Sequence, residues 1–170
     1  LYYSACDTSV CLATVPLKEL YGNIQTNNVL PVKFEKFKEN PILIPREGID
    51  WEKNGVFNPA AIRLNEKTYI IYRAQSNDNI SRFGLAVSSD GVKIDERPGE
   101  PIYSPRESFE LPQIPNGNSG CEDPRITQID DRLYVCYTAF TGNGNTRVAL
   151  TSIKTEDFIN RKWKKKKKPV

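Results

Sequence analysis

The sequence predicts an all-β protein assembled from repeated blades of the propeller type. Two observations carry this. Short strand-like runs alternate with turns rich in Pro, Gly, Asn and Asp. A whole segment of the chain returns some sixty residues later. Separately, no apolar run reaches the length of a membrane-spanning helix.

The recurrence is specific. Pro41-Ile-Leu-Ile-Pro-Arg-Glu47 returns as Pro101-Ile-Tyr-Ser-Pro-Arg-Glu107, a spacing of 60. Asn58-Pro59 returns as Asp123-Pro124, a spacing of 65. At that same spacing Tyr69 meets Tyr134, Tyr72 meets Tyr137, Ala74 meets Ala139, Arg82 meets Arg147 and Leu85 meets Leu150, with no gap. An all-β repeat of this length holds about four strands and their loops, which is one propeller blade. A β-sandwich with chance similarity is the competing architecture.

Taken in order, Leu1–Ala5 and Val10–Thr14 are expected as strands joined by a Cys-Asp-Thr-Ser turn. Val15–Tyr21 is expected as a short helix, with Pro16 at its first position, Leu17 and Leu20 on one face and Gly22 at its end. Residues 23–39 are polar and read as a connector. Strands are then expected over Thr68–Ala74, Phe83–Ser88 and Val92–Asp95, with turns at Asn65-Glu66-Lys67 and Ser89-Asp90-Gly91. Tyr3-Ser4-Ala5 resembles Tyr72-Arg73-Ala74, and Cys11-Leu12-Ala13 resembles Gly84-Leu85-Ala86, so the opening is a third, partial copy. Pro169-Val170 falls where the next Pro-Ile would begin.

The expected organisation is the tail of a preceding blade (residues 1–22), a connector (23–39), two blades (40–100 and 101–163) and a basic tail (164–170). That is about two and a half blades, whereas propellers close with about 4–8. A ring therefore needs further blades or further copies of the chain. The chain opens on Leu1 and contains no Met, which reads as a processed chain or a fragment.

Composition narrows the function. Net charge is +3, but Lys164 to Lys168 supply five of the positive charges, so the body is not a basic nucleic-acid surface. There is no His, which excludes Ser-His-Asp and Cys-His catalysis within the chain and His-based zinc sites. No carboxylate cluster has metal-coordinating spacing, so no metal is expected. Cys6, Cys11, Cys121 and Cys136 lack a CxxC spacing and read as small buried residues in a reducing, cytoplasmic compartment. Neither a membrane nor a nucleic-acid partner is expected.

Each repeat opens its inner strand at the same position, so Asn58 and Asp123 are expected to point into one shared pocket. Arg73, at the far end of the inner hairpin, can return to the same mouth. An amide, a carboxyl and a guanidinium suit a polyhydroxylated ligand, and the carboxyl can exchange a proton at a glycosidic oxygen. Plainer readings stand beside these. Asn58 caps the turn before Pro59; Arg73 pairs with Asp78 or a neighbouring carboxylate; Trp51 stacks on a sugar or packs between blades. Strand alternation sets Glu122 and Asp123 on opposite faces, so Glu122 is expected as the structural partner of an arginine such as Arg125. Tyr69, Tyr72, Tyr134 and Tyr137 are expected in the core.

These residues resemble a known family. Asn40-Pro-Ile-Leu-x-Pro, Trp51-Glu-x-x-Gly-Val-Phe-Asn-Pro-Ala-Ala-Ile, Tyr72-Arg-Ala, Gly84-Leu-Ala-x-Ser-x-Asp-Gly, Glu122-Asp-Pro-Arg-Ile-Thr and Tyr137-Thr-Ala-Phe resemble glycoside hydrolase family 130 over about Asn40 to Trp163. The resemblance implies a five-bladed propeller. It implies a β-mannoside phosphorylase, or in some branches a β-mannosidase. It makes Asp123 the single general acid, acting through a mannose hydroxyl, with inorganic phosphate as co-substrate and no other cofactor. Asn58, Arg73 and Arg125 become substrate-binding residues. A carbohydrate-binding module without catalysis is the rival from another class. The sequence also departs from the family. The phosphate-binding residues lie mainly in later blades, the opening resembles the family domain's end, and Thr141 stands where Asp is common.

Overall fold

A computed structural model of the chain describes residues 1–25 and 32–163. The expected basic tail, Pro169-Val170 and part of the expected connector lie outside the described residues. The described chain is mostly β.

β1 (Tyr2–Ala5) and β2 (Ser9–Thr14) form a hairpin, and β3 (Glu35–Lys36) pairs with β2 inside the expected connector. Next come β4 (Gly55–Leu64), β5 (Lys67–Gln75) and β6 (Ile80–Ser88), an antiparallel meander. β7 (Ser119–Ile129), β8 (Arg132–Phe140) and β9 (Arg147–Lys154) repeat it. The two meanders join through two parallel pairs, Ile80 with Ser119 and Ser81 with Gly120, into one six-stranded open sheet.

The internal repeat is present at the level of single hydrogen bonds. Val10 and Leu43 exchange backbone bonds (Val10 N–H to Leu43 O 2.9 Å, Leu43 N–H to Val10 O 3.1 Å), and Ile42 also donates to Val10. Phe83 and Tyr103 do the same at 2.9 and 3.4 Å, with Ile102 in the place of Ile42. The Pro41 and Pro101 segments thus clip onto the last strand of the preceding unit in the same way. Gly55 and Gly120 form a second repeated joint. A Cβ on Gly55 would meet Asp7 O at 2.8 Å, and one on Gly120 would meet Ser81 O at 2.3 Å. Each glycine lets a strand start against the preceding hairpin.

The hairpin ends follow their sequences. Cys6 and Asp7 both have φ of 50°, and Asn65 and Glu66 have 46° and 65°, the two successive positive values of a type I′ turn. Strand β5 is buried on both faces. Ile70, Tyr72 and Ala74 pack with Val10, Leu43 and Val56, while Tyr69 and Ile71 pack with Phe83, Leu133, Val135 and Tyr137. With period two, Arg73 follows Tyr69 and Ile71 on the face turned toward the second meander.

Several local expectations change. Helix α1 spans Leu17–Gln25 and runs through Gly22, because a helical glycine costs only about 1 kcal/mol and does not compel a stop. Its Leu17 and Leu20 are exposed. Val92–Asp95 is not a strand. The Asp90 carboxylate takes the N–H groups of Val92 and Lys93, both at 2.8 Å, and Asp95 takes that of Ser89 at 2.6 Å. Those side chains satisfy amides that a strand partner would otherwise need, and Glu96 makes the bridge to Val87 instead. Cys11 and Cys121 are buried as expected, but Cys6 and Cys136 are exposed, and all four are free thiols. Tyr69, Tyr72 and Tyr137 are buried, whereas Tyr134 is half-buried. A short helix α2 (Thr155–Ile159) follows β9. No helix among the described residues is long and apolar enough to cross a membrane.

Candidate active site

The site is built by two equivalent bulges. Along β4 the register passes from Phe57 opposite Arg73 to Ala60 opposite Ile71, so Asn58 and Pro59 together oppose Tyr72. Along β7 it passes from Glu122 opposite Thr138 to Arg125 opposite Cys136, so Asp123 and Pro124 together oppose Tyr137. The first bulge residue has positive φ in both, 46° at Asn58 and 52° at Asp123. Asn and Asp tolerate the left-handed region better than other non-glycine residues. Proline fits beside them because it needs no ladder donor.

The bulges turn both side chains to one point. Asn58 Nδ2 donates to Asp123 Oδ1 at 2.7 Å. Arg73 Nη1 reaches the same oxygen at 3.3 Å, Nη2 donates to Glu122 Oε1 at 2.8 Å, and Nε donates to Ser81 Oγ at 3.0 Å. The guanidinium also lies 4.9 Å from the Phe57 ring centroid, a cation–π contact that fixes its plane. The Asp123 side chain remains 38% exposed while that of Glu122 is 13% exposed. Asp123 is therefore the more open carboxylate of the pair.

These distances revise the expectation for Glu122 and decide among the readings of Arg73, which reaches the shared mouth and pairs with neighbouring carboxylates. Strand alternation does not separate Glu122 from Asp123, because the bulge rotates Asp123 out of the period-two pattern. The partner of Glu122 is Arg73, not Arg125. Arg73 leaves Asp78 to Arg82, which pairs with it at 2.6 Å. Arg125 is exposed, donates to Pro124 O at 2.8 Å and stands outside the cluster. Trp51 packs, with its ring stacked on Tyr72 (centroids 6.4 Å apart) and Nε1 donating to Gly99 O at 2.6 Å. Burial raises the Glu122 carboxyl above its ordinary value, Arg73 opposes this and Asp123 adds to it.

Behind each bulge lies a fully buried glutamate. Glu52 accepts from Tyr72 Oη at 2.8 Å and pairs with Arg46 at 2.7 Å and Arg97 at 3.0 Å. Glu110 accepts from the hydroxyls of Tyr103 and Tyr137 and from the N–H groups of Arg106 and Glu107, at 2.8 and 2.9 Å. Sequence reading missed both. The two share only an aromatic residue just before them, Trp51-Glu52 and Phe109-Glu110, ahead of each bulged strand, which does not mark them as buried. Among the described residues, no group of three or more Cys, Asp or Glu gathers as a metal site would require.

Known proteins share this arrangement of chain. The family model described as beta-1,4-mannooligosaccharide phosphorylase matches residues 33–168. A beta-1,2-mannobiose phosphorylase of Thermoanaerobacter sp. (strain X514) is 32% identical over 145 residues, covering 78% of this chain and 45% of the relative. A 1,2-beta-oligomannan phosphorylase of the same strain is 37% identical over 116 residues, covering 64% and 36%. A solved structure from the GH130 mannoside phosphorylases, described as a family containing glycoside hydrolases that target beta-1,2 mannosidic linkages in Candida mannan, superposes with a TM-score of 0.63. It is 30% identical and covered over 41% of its length, against 75% of this chain. The matches span less than half the length of the curated relatives. The match through both bulged strands settles the affiliation: the chain belongs to glycoside hydrolase family 130.

Proposed function

We propose that this chain supplies the acid-bearing part of an enzyme that cleaves β-mannosidic bonds by phosphorolysis. The observation that carries the reading is the convergence of Asn58, Arg73 and Asp123 on one partly open carboxylate. The names of the two phosphorylase relatives support it. In this reading Asp123 passes a proton toward the glycosidic oxygen by way of a mannose hydroxyl. A phosphate oxygen forms the new bond to the anomeric carbon from the opposite face. The glycosidic C–O bond breaks, releasing the acceptor sugar and α-mannose 1-phosphate with inversion. One carboxylate then suffices where an ordinary glycosidase uses two. Asn58 and Arg73 hold the mannosyl unit, and the exposed Arg125 meets a more distant part of the oligosaccharide.

The proposed architecture is a five-bladed propeller of which this chain forms about two and a half blades. The remainder, from continuing chain or from a second copy, brings the phosphate-binding cations. A cytoplasmic setting would supply inorganic phosphate.

Hydrolysis is the second reading, favoured by the glycoside hydrolases with which the superposed GH130 structure is described. Against it, both local carboxylates sit on one guanidinium rather than across a bond from each other. The test is to incubate the whole protein with β-1,2-mannobiose, with and without phosphate. Mannose 1-phosphate formed only with phosphate is the expected result. Free mannose independent of phosphate would establish hydrolysis. Sugar binding without product under either condition would leave a binding module.

A further inference from the structure

We propose that Glu110, acting through Tyr137, is a positioning residue for Asp123, and that Glu52 through Tyr72 serves Asn58 in the same way. The inference rests on the reading of Asp123 as the acid.

The geometry is repeated in both units. Tyr72 stands opposite the Asn58-Pro59 bulge and Tyr137 opposite the Asp123-Pro124 bulge. Each tyrosine sends its hydroxyl to a glutamate of zero exposure. A bulge breaks the ladder at the point where two residues oppose one, so its strand is held there by fewer backbone bonds. A fixed side chain on the opposing residue restores the constraint. Glu110 grips three pieces of chain at once: β8 through Tyr137, the Pro101 segment through Tyr103, and the following turn through the amides of Arg106 and Glu107. The strand opposite the Asp123-Pro124 bulge is thus tied to one buried group.

The two braces have different neighbours. Glu52 is neutralised by two guanidiniums, whereas Glu110 is held by hydroxyls and backbone amides. A carboxylate buried for packing alone would be replaced by an apolar side chain at little cost. Its recurrence behind both bulges, with the equivalent tyrosine kept and the remaining partners changed, points to what the bulges have in common, the aim of residues 58 and 123.

The test compares Tyr137→Phe, Glu110→Gln and a control, Tyr134→Phe, in the whole enzyme. kcat and KM are read with β-1,2-mannobiose and phosphate, and the Asp123 carboxyl is followed by its 13C chemical shift at one fixed pH. Its signal is assigned by its loss in Asp123→Asn. Tyr137→Phe is expected to lower kcat about 10- to 100-fold, as a small misplacement of a reacting group does. KM should stay within about threefold of wild type, the control should be unchanged, and Glu110→Gln should reproduce the kcat loss. The Asp123 signal should be displaced in both variants. A lowered melting temperature with kcat and the Asp123 signal unchanged would overturn the proposal. If the wild type turns over no β-mannoside, the functional reading fails instead. The Asp123 signal alone then judges the brace: displacement in Tyr137→Phe upholds it and no displacement overturns it.

Discussion

Asn58 and Asp123 occupy the same bulge in successive repeats and meet across 2.7 Å, amide to carboxylate. The contact is both the product of the repeat and the place where its two copies differ. One contributes a group that cannot release a proton, the other a group that can. Asp123→Asn is therefore expected to lower kcat by about 10²- to 10⁴-fold, the range for loss of a general acid, while substrate affinity by calorimetry changes little. Retained turnover would remove Asp123 from the mechanism.

Arg73 holds two carboxylates that would otherwise face each other. A lysine offers a point charge and cannot span Glu122 and Asp123 while also meeting Ser81. Arg73→Lys is expected to lower kcat/KM about 100-fold, equivalent to about 3 kcal/mol of transition-state stabilisation. Steady-state kinetics on folded protein checks it, and a change below about threefold would reduce Arg73 to a surface partner.

Glu122 links the site to pH. Burial keeps its carboxyl above the ordinary 4.5, so the folded chain binds this proton more tightly than the unfolded chain does. The stabilisation is complete below the ordinary value and is lost as pH rises through the raised folded value. Wild type should therefore lose stability relative to Glu122→Gln as pH climbs above about 4.5, and the difference should level off once the carboxyl has ionised. Urea unfolding of both proteins over about pH 4 to 8 measures this; a difference that grows in the opposite direction would contradict it.

Gly120 holds the joint between the meanders. It has φ of 113°, and a Cβ would come within 2.3 Å of the backbone oxygen of Ser81. Gly120→Ala combines backbone strain of about 1–3 kcal/mol with a clash of similar size. Thermal unfolding should show a loss of about 3 kcal/mol or more. Gly144→Ala, with φ of 78° and nothing within 4 Å of its Cβ, should cost less.

The strands were legible because their period and their punctuation agree. Thr68–Ala74 and Phe83–Ser88 lie within β5 and β6, and the 65-residue spacing holds from Tyr69 to Leu150. The convergence of Asn58 and Asp123 was legible from that spacing alone. What period-two reasoning could not supply was the bulge itself, because two residues opposing one is a property of the pairing and not of either strand. That is why alternation alone turns Glu122 away from Asp123. Glu110 was hidden for a different cause: its partners Tyr103 and Tyr137 lie 7 and 27 residues away, and no local pattern links them.

The left-handed backbone at positions 58 and 123 accepts asparagine and aspartate alike. The two side chains have nearly the same shape and differ only in whether an amide or a carboxyl ends them. Each repeat thus offers a socket whose chemistry can be rewritten by a single codon change while the frame around it stays intact. Duplication of such a unit multiplies sockets around one mouth, and divergence then assigns each a separate task. New reactivity can arise by exchanging one terminal group at a time, without passing through an unfolded ancestor.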